Sequence, residues 1–195
     1  MFKNVYVIGL MIFIAIMIAF FTINIFFRDV DYYRNSIKLS SFLVPFICAV
    51  GAFISVSSYS RFKKFLNFRE AYGRAFVPMF VGGLLSVISI FFYINYVDKD
   101  TKDLLNYQYI ESFRTGLEDE YSQAKKIIKP DSPEMADLEK KYEQGKERIK
   151  IKEAKKEDMF SAKYFGYVFA GYCAFFLILS LFFGSFFRTR NSELQ

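Results

Sequence analysis

The sequence predicts an all-α membrane protein with four transmembrane helices and a long extramembrane helical hairpin between the third and the fourth. One supporting observation is a set of four stretches, each of 22 to 24 residues, that contain no Asp, Glu, Lys or Arg. The stretches are residues 4–27, 39–60, 75–97 and 164–187. At a rise of about 1.5 Å per residue, each is long enough for a helix that crosses a hydrocarbon core of about 30 Å.

The second observation is the concentration of charge between residues 98 and 163, which hold 31 of the 46 charged residues. The chain therefore divides into residues 1–97 with the first three spans, residues 98–163 outside the membrane, and residues 164–195 with the fourth span and a tail. The extramembrane block holds 15 Lys or Arg and 16 Asp or Glu residues. Nucleic acid needs a face of clustered, unpaired cations, so we expect no nucleic-acid partner.

The short segments beside the spans predict the orientation of the chain. The N-terminus, the 61–74 loop and the C-terminal tail together carry eight Lys or Arg residues, against three in the 28–38 loop. Short segments rich in Lys and Arg stay on the cytoplasmic side of a membrane. We therefore expect both termini in the cytoplasm and residues 98–163 on the opposite side.

Proline and glycine residues should disturb two of the spans. Pro45 lies seven residues into the second stretch and predicts a kink, because proline lacks a backbone N–H. Pro78 lies only four residues into the third stretch, where a proline is nearly tolerated as part of a helix start. The pair Gly82-Gly83 is expected to loosen the third span further.

The fourth span carries a stripe of small residues at steps of four. Its members are Ala162, Gly166, Ala170 and Ala174. Small residues at this spacing let the backbone of a second helix approach closely. We expect the stripe to pack against another span of this chain, with a helix of a neighbouring protein as the alternative.

The loop between spans two and three predicts a short basic amphipathic segment. Positions 62, 65, 66, 69 and 72 share one face of a helix, and four of these five residues are apolar. Such a segment lies in the headgroup layer, where its cations contact anionic lipid. The candidate headgroup-binding residues are Arg61, Lys63, Lys64, Arg69 and Arg74. The alternative is an ordinary cytoplasmic topology anchor.

The block between spans three and four predicts two helices that form a hairpin. The first arm, from about residue 101 to residue 128, has an apolar stripe at helical spacing. The stripe supplies the candidate partner-binding residues Ile110, Phe113, Leu117, Tyr121 and Ile128. It packs as a coiled coil or docks on a partner.

The centre of the block contains the break between the two arms. Pro130 interrupts the first arm, and Ser132 is a candidate N-cap with Pro133 at the first position of the second arm. The second arm has a stripe of its own, namely Met135, Leu138, Tyr142, Gly145 and Ile149. No breaker follows it, so residues 133–187 are expected to form one nearly continuous helix.

The residues of a recognisable active site are missing from the sequence. There is no histidine, and Cys48 and Cys173 lie within spans, where we interpret them as small buried residues. We therefore expect no metal, no cofactor and no enzymatic activity. Ser55, Ser57, Ser58 and Ser60 are polar residues of span two that either line a groove or hydrogen-bond between helices.

Two local motifs and the layout of the chain resemble a known family. The segment Phe68-Arg69-Glu70-Ala71-Tyr72-Gly73-Arg74-Ala75-Phe76 leads into span three, and Tyr93-Ile94-Asn95-Tyr96-Val97-Asp98-Lys99-Asp100 follows its exit. A long helical insert and a last span ending in Arg188-Thr189-Arg190 complete the pattern. The chain resembles the uncharacterised four-span inner-membrane proteins of Bacteroidota in domain-of-unknown-function family number 4199. The resemblance implies a bacterial inner membrane, with residues 98–163 in the periplasm, and implies no activity.

The expected function is that of a non-enzymatic accessory or scaffold subunit of a cell-envelope protein complex. Its expected partners are membrane lipids and other envelope proteins, which it would contact through its spans and its hairpin. The first alternative is a small transporter or channel component with a hydrated path along Ser55 to Ser60. The second alternative is a lipid-responsive membrane scaffold that acts through residues 61–74.

Overall fold

The computed structural model describes residues 4–28, 31–63, 65–129, 132–155 and 158–189. Within these ranges the chain is helical and contains no β-strand. The α-helices are α1 (Val5–Phe26), α2 (Tyr32–Lys38), α3 (Val44–Ser60), α4 (Phe68–Phe92), α5 (Lys99–Ile127), α6 (Pro133–Ala154) and α7 (Ala162–Phe187). The π-helical turns Leu39–Leu43 and Tyr93–Val97 connect α2 to α3 and extend α4.

The chain forms two compact units. Residues 1–97 and 162–195 make up the first, which we call the helix bundle. Residues 98–161 make up the second, which we call the α5–α6 unit.

Four helical segments are long and apolar enough to cross a membrane: Val5–Phe26, Tyr32–Ser60, Phe68–Val97 and Ala162–Phe187. The prediction of an all-α chain with four such helices is therefore confirmed. The second and third segments begin at Tyr32 and Phe68, seven residues before the charge-free stretches that start at 39 and 75. Charged side chains near a span end reach the headgroup region, so a helix continues beyond its charge-free part.

The directions of the spans follow from their contacts. The α1 and α4 helices run the same way, because Gly9 approaches Gly82 near one end and the Phe20 ring lies 5.7 Å from the Tyr93 ring near the other. The α4 and α7 helices run in opposite directions. The Phe91 and Phe165 rings are 5.3 Å apart at one end of that pair, and Gly184 packs on Phe68 at the other.

The α3 helix completes an alternating arrangement. Gly51 packs against Ile12 of α1, and Asn24 at the end of α1 donates a hydrogen bond of 2.9 Å to the hydroxyl of Tyr32, which opens the second span. The α1 helix and the second span are therefore antiparallel. The start of α1 and the end of α7 consequently lie at the same end of the bundle, which we call the terminal end.

Gly82 and Gly83 are positions of close helix packing, and the expectation that they loosen span three is wrong. A Cβ atom on Gly82 would lie 2.7 Å from the carbonyl oxygen of Gly9. One on Gly83 would lie 2.9 Å from the ring of Phe176. Only a residue without a side chain lets α1 and α7 approach α4 at these adjacent positions.

The two prolines are accommodated in different ways. Pro45 lies in the first turn of α3, directly after the π-helical turn Leu39–Leu43, so its missing backbone N–H falls at a helix start. Pro78 lies in the interior of α4 and not near a helix start as predicted, because α4 already begins at Phe68. The carbonyl oxygen of Pro78 lies close to Gly9 of α1, where a Cβ atom added to Gly9 would be 3.2 Å from it.

Large apolar side chains cover much of the outside of the bundle. Phe42 is 74% exposed and Phe186 is 70% exposed, and Ile18 is among many further examples. Soluble proteins rarely expose continuous apolar surface of this kind. The outer surface of the bundle therefore has the character that lipid contact requires.

The α5–α6 unit consists of two helices that run in opposite directions along each other. Arg114 of α5 forms an ion pair of 2.5 Å with Glu153 of α6, and the Tyr121 ring stacks on the Tyr142 ring with centroids 4.2 Å apart. As predicted, α6 begins with Pro133 at its first position, and the Ser132 hydroxyl caps it by accepting the Met135 N–H at 3.3 Å. Pro130 and Asp131 lie outside the described residues.

The expectation of one continuous helix from 133 to 187 is wrong, because α6 ends at Ala154 and α7 begins at Ala162. Asp158 organises the interruption. Its carboxylate accepts the Phe160 N–H at 2.9 Å, pairs with the Lys102 ammonium at 2.6 Å and accepts from the Asn106 amide at 3.2 Å. A side chain that satisfies a nearby backbone N–H in this way offers the chain an alternative to continuing the helix.

Candidate interaction surfaces

The small-residue stripe of α7 lies on an open face. Ala162, Gly166, Ala170 and Ala174 are all exposed, and a Cβ atom on Gly166 would meet no heavy atom within 4 Å. The expectation that the stripe packs against another span of this chain is therefore not met among the described residues. These four residues form a surface that we call the small-residue face.

A different face of α7 packs into the bundle. Its buried residues are Phe176, Ser180, Phe183 and Gly184. Gly184 lies against Phe68 and Tyr72 of α4, where a Cβ atom would come within 2.9 Å of the Phe68 ring. This face combines two aromatic rings with two small residues, which is why a repeat of small residues alone did not identify it.

The predicted partner-binding residues of α5 occupy different environments. Leu117 lies against Gly145 of α6, and Tyr121 stacks on Tyr142, so both contribute to the contact between the two helices. Phe113 is 44% exposed and packs edge-on against Tyr109 at 4.8 Å. Phe113 is therefore more exposed than Leu117 and Tyr121.

The other two predicted residues lie towards opposite ends of α5. Ile110 borders a surface groove of about 430 Å³ whose other residues include Lys102, Asn106 and Glu153. Ile128 is the half-buried C-cap of α5. Neither residue is part of a buried core.

The buried residues of α5 lie before the predicted stripe. They are Thr101, Leu105 and Tyr109, none of which was among the predicted residues. The signal was available, because Thr101, Leu105, Tyr109, Phe113, Leu117 and Tyr121 follow one another at steps of four. By contrast, the role of Asp158 depends on partners 52 and 56 residues away and left no local pattern.

The 61–74 loop is not one amphipathic helix. Arg61 and Phe62 form a turn, residues 65–67 are not helical, and α4 begins at Phe68. Asn67 and Glu70 form a reciprocal capping box at this start, in which the Asn67 side chain accepts the Glu70 N–H at 2.8 Å. Positions 62, 65 and 66 therefore share no helical face with 69 and 72, so that prediction is wrong.

The candidate headgroup-binding cations of this loop fall into two groups. Lys63 forms an ion pair with Glu70, and this hydrogen bond raises the pKa of Lys63. The guanidinium of Arg74 lies 3.3 Å from the centroid of the Tyr59 ring. Arg61 and Arg69 are exposed. Lys64, the remaining candidate, lies outside the described residues.

The end of α7 is fastened to the same loop. The Thr189 N–H donates to the carbonyl oxygen of Leu66 at 2.9 Å, and the Leu66 N–H donates to the Thr189 hydroxyl at 3.1 Å. Leu66 itself is buried. These reciprocal bonds connect residues 123 positions apart and bring the neighbouring, exposed Arg188 to the loop, which the sequence analysis did not anticipate.

The serines proposed for a polar groove do not share one environment. Ser55 is fully buried, and its hydroxyl has no hydrogen-bond partner in the structure. The Ser60 hydroxyl donates to the carbonyl oxygen of Ser57 at 2.9 Å, within its own helix. Within the described ranges, no three His, Cys, Asp or Glu residues are grouped so that they would hold a metal ion.

The comparisons with known proteins identify a family. A family model described as "Protein of unknown function (DUF4199)" matches residues 8–189 of the 195-residue chain. No curated protein and no solved structure matches the chain. Since the match covers nearly the whole sequence, including from Ile8 onwards all four helices that are long and apolar enough to cross a membrane, the chain belongs to the protein family of unknown function DUF4199.

Proposed function

We propose that the protein is a non-enzymatic accessory or scaffold subunit of a cell-envelope protein complex. It resides in a bacterial inner membrane with both termini in the cytoplasm, and α5 and α6 form a helical hairpin in the periplasm. The observation that carries the proposal is the small-residue face of α7, which is exposed over Ala162, Gly166, Ala170 and Ala174.

Helices associate in lipid through close packing of their surfaces. Lipid chains are as apolar as leucine side chains, so burial of apolar surface does not drive two membrane helices together. Close backbone approach at small residues provides the packing that does. The bundle itself uses this device where Gly82 meets Gly9. The small-residue face offers the same kind of surface to a helix from another protein.

The α5–α6 unit supports the proposal from outside the membrane. Ile149 is the buried residue of α6, and three residues of α5 are buried. A pair of helices with so small a core retains apolar side chains for other contacts, and Phe113 and Ile110 are the candidates. We propose that this surface contacts a second envelope protein.

Native purification followed by mass spectrometry tests the proposal. The wild-type protein, extracted in a mild detergent, should carry other envelope proteins with it. Gly166→Leu should lower their recovery strongly, because a leucine side chain prevents close approach at the centre of the small-residue face.

Gly171→Leu is the matched control. Gly171 is also an exposed α7 glycine around which a Cβ atom would meet no heavy atom within 4 Å, but it lies outside the four-residue stripe. Circular dichroism should report the same helix content for both variants. A wild-type protein that is recovered alone, or a Gly171→Leu variant that loses its partners as completely as Gly166→Leu, would contradict the proposal.

A further inference from the structure

We propose that the terminal end of the helix bundle binds the phosphate of an anionic phospholipid through Arg61, Arg69 and Arg188. The partner is the adjacent membrane leaflet, and the site is independent of the proposed assembly function. The site differs from the five-cation set that the sequence predicts. It omits the cations that the structure engages elsewhere, and it adds one from the far end of the chain.

Two of the cations near this end of the bundle have structural roles, and three are exposed. Lys63 is paired with Glu70, which also closes the capping box of α4, so this lysine stabilises the start of the helix. Arg74 is placed over the Tyr59 ring, where it joins α3 to α4. Arg61, Arg69 and Arg188 are exposed, and none forms an ion pair among the residues that the structure describes.

Contacts at the end of α7 hold Arg188 beside the loop. The two hydrogen bonds between Thr189 and Leu66 hold the chain after α7 against the loop that joins α3 to α4. Gly184, one helical turn before Arg188, packs on Phe68 at the start of α4. The backbone of Arg188 is therefore fixed beside the segment that carries Arg61 and Arg69.

Positive and negative charges are not balanced at this end of the bundle. Residues 57–75 and 185–189 contain Glu70 as their one acidic residue, and Lys63 neutralises it. The three exposed guanidinium groups therefore leave a local excess of positive charge. Guanidinium groups bind phosphate oxygens with two parallel hydrogen bonds, which makes a phosphate-bearing anion the complementary ligand.

Two exposed aromatic side chains distinguish a lipid ligand from a soluble anion. Phe62 is 66% exposed and Phe65 is 58% exposed, and both lie in the same loop as Arg61. Aromatic rings beside exposed cations are the combination by which proteins lie at the boundary between headgroups and acyl chains. A soluble phosphate would gain nothing from these rings, whereas a phospholipid contacts the rings and the guanidinium groups together.

Native mass spectrometry of the purified full-length protein in neutral detergent tests the site. The micelles contain equal amounts of phosphatidylglycerol and phosphatidylcholine with identical acyl chains. The wild-type protein should retain phosphatidylglycerol preferentially. The variant that combines Arg61→Gln, Arg69→Gln and Arg188→Gln should lose this preference, by about fivefold for each arginine removed.

A control variant removes three exposed cations from the opposite end of the bundle, namely Arg34→Gln, Lys38→Gln and Lys163→Gln, of which Arg34 is paired with Asp31 at 2.8 Å. It should keep the wild-type preference. Lysine at positions 61, 69 and 188 should restore only part of the preference, because lysine keeps the positive charge but lacks the two parallel hydrogen bonds of a guanidinium group. Circular dichroism should show unchanged helix content, and single substitutions replace the triple variant if it does not fold.

Four results would overturn the proposal. One is a wild-type protein without preference for phosphatidylglycerol. The second is a glutamine variant that retains the preference, and the third is an opposite-end variant that loses it equally. The fourth is displacement of phosphatidylglycerol by an equal concentration of inorganic phosphate, which would identify a site for the free anion.

Discussion

The helix bundle and the α5–α6 unit are both helical, but different contacts hold them together. In the bundle, glycines bring backbones close, as at Gly82 and Gly9. In the α5–α6 unit, long polar side chains join the helices, as where Arg114 pairs with Glu153 and the Lys152 ammonium lies 4.9 Å from the centroid of the Phe113 ring. The first kind of contact fixes shape, and the second depends on charge.

The difference follows from the solvent that each unit is suited to. In lipid an exposed phenylalanine costs nothing, so specificity comes from how closely helices fit. In water the exposed faces carry charges, and the apolar stripe between the helices is narrow. Substitutions in the bundle should therefore act through steric fit, and substitutions in the α5–α6 unit through charge and through side chains that are able to move.

The largest effect is expected for Gly82→Ala in α4. The added methyl group would lie 2.7 Å from the Gly9 carbonyl oxygen, a backbone atom that yields only if α1 moves. Overpacking of this kind costs about 1–3 kcal/mol. The loss of stability is measured by unfolding the protein in mixed micelles while circular dichroism monitors its helix content.

Gly73→Ala is the control, because Gly73 lies in the same helix with no heavy atom within 4 Å of a new Cβ atom. There the substitution should raise stability by about 0.5–1 kcal/mol, since alanine is the better helix former. Equal effects at the two positions would show that steric fit does not govern the bundle.

The second prediction concerns Asp158 in the α5–α6 unit. Burial acts to raise the pKa of this carboxyl, but hydrogen bonds from Lys102, the Phe160 N–H and Asn106 outweigh it, so the pKa lies below its usual range. Asp158→Asn should lower local stability at neutral pH by about 1 kcal/mol after allowance for solvent screening. The measurement is hydrogen exchange at the amides of Met159 and Phe160.

The pH dependence has a definite sign. Because the folded-state pKa of Asp158 is depressed, its stabilisation is fully present above the unfolded value of about 3.9 and is lost as pH falls through the folded value. The wild-type protection of the Phe160 amide should therefore fall in that acidic range, and Asp158→Asn should remove this fall. Asp137→Asn, which breaks an exposed pair with Lys141, should leave the amide unaffected.

The smallest effect is expected for Gly145→Ala in α6. A new methyl group would lie 2.7 Å from Leu117 Cδ1, the far end of a flexible side chain that is able to rotate away. The gain in helix propensity of about 0.5–1 kcal/mol should offset most of the displacement. Gly116→Ala, in open space on α5, gives the uncompensated gain for comparison. A loss at Gly145 as large as that at Gly82 would contradict the distinction between the two units.

The sequence predicted the features that depend on local composition. Charge-free stretches located all four helices that are long and apolar enough to cross a membrane, because a bilayer excludes charge over a fixed thickness. Pro133 after Ser132 located the start of α6, because capping requires a short polar side chain at that position. Membership of family number 4199 was confirmed over residues 8–189.

The features that sequence reasoning missed depend on distant contacts. The lack of charged residues indicates which part of a helix is suited to lipid, but it does not indicate where the helix ends. For this reason α4 begins at Phe68, before the charge-free stretch that starts at 75. The break at Asp158 depends on Asn106 and Lys102, and the fastening of the C-terminal end depends on Leu66. A repeat of small residues identified a face of α7 but not the helix that packs on it. The same spacing suits a helix of this chain and a helix of another protein.

The most direct test compares two residues with the same exposure in the two units. Phe46 in α3 and Tyr107 in α5 are each 65% exposed. A spin label is attached to Phe46→Cys or Tyr107→Cys, with Cys48 and Cys173 replaced by alanine, in protein reconstituted into lipid bilayers. We expect oxygen, which concentrates in lipid, to increase the relaxation rate of the label at 46. A water-soluble nickel complex should increase the relaxation rate of the label at 107. Equal access of the nickel complex to both labels would contradict the assignment of the bundle to lipid.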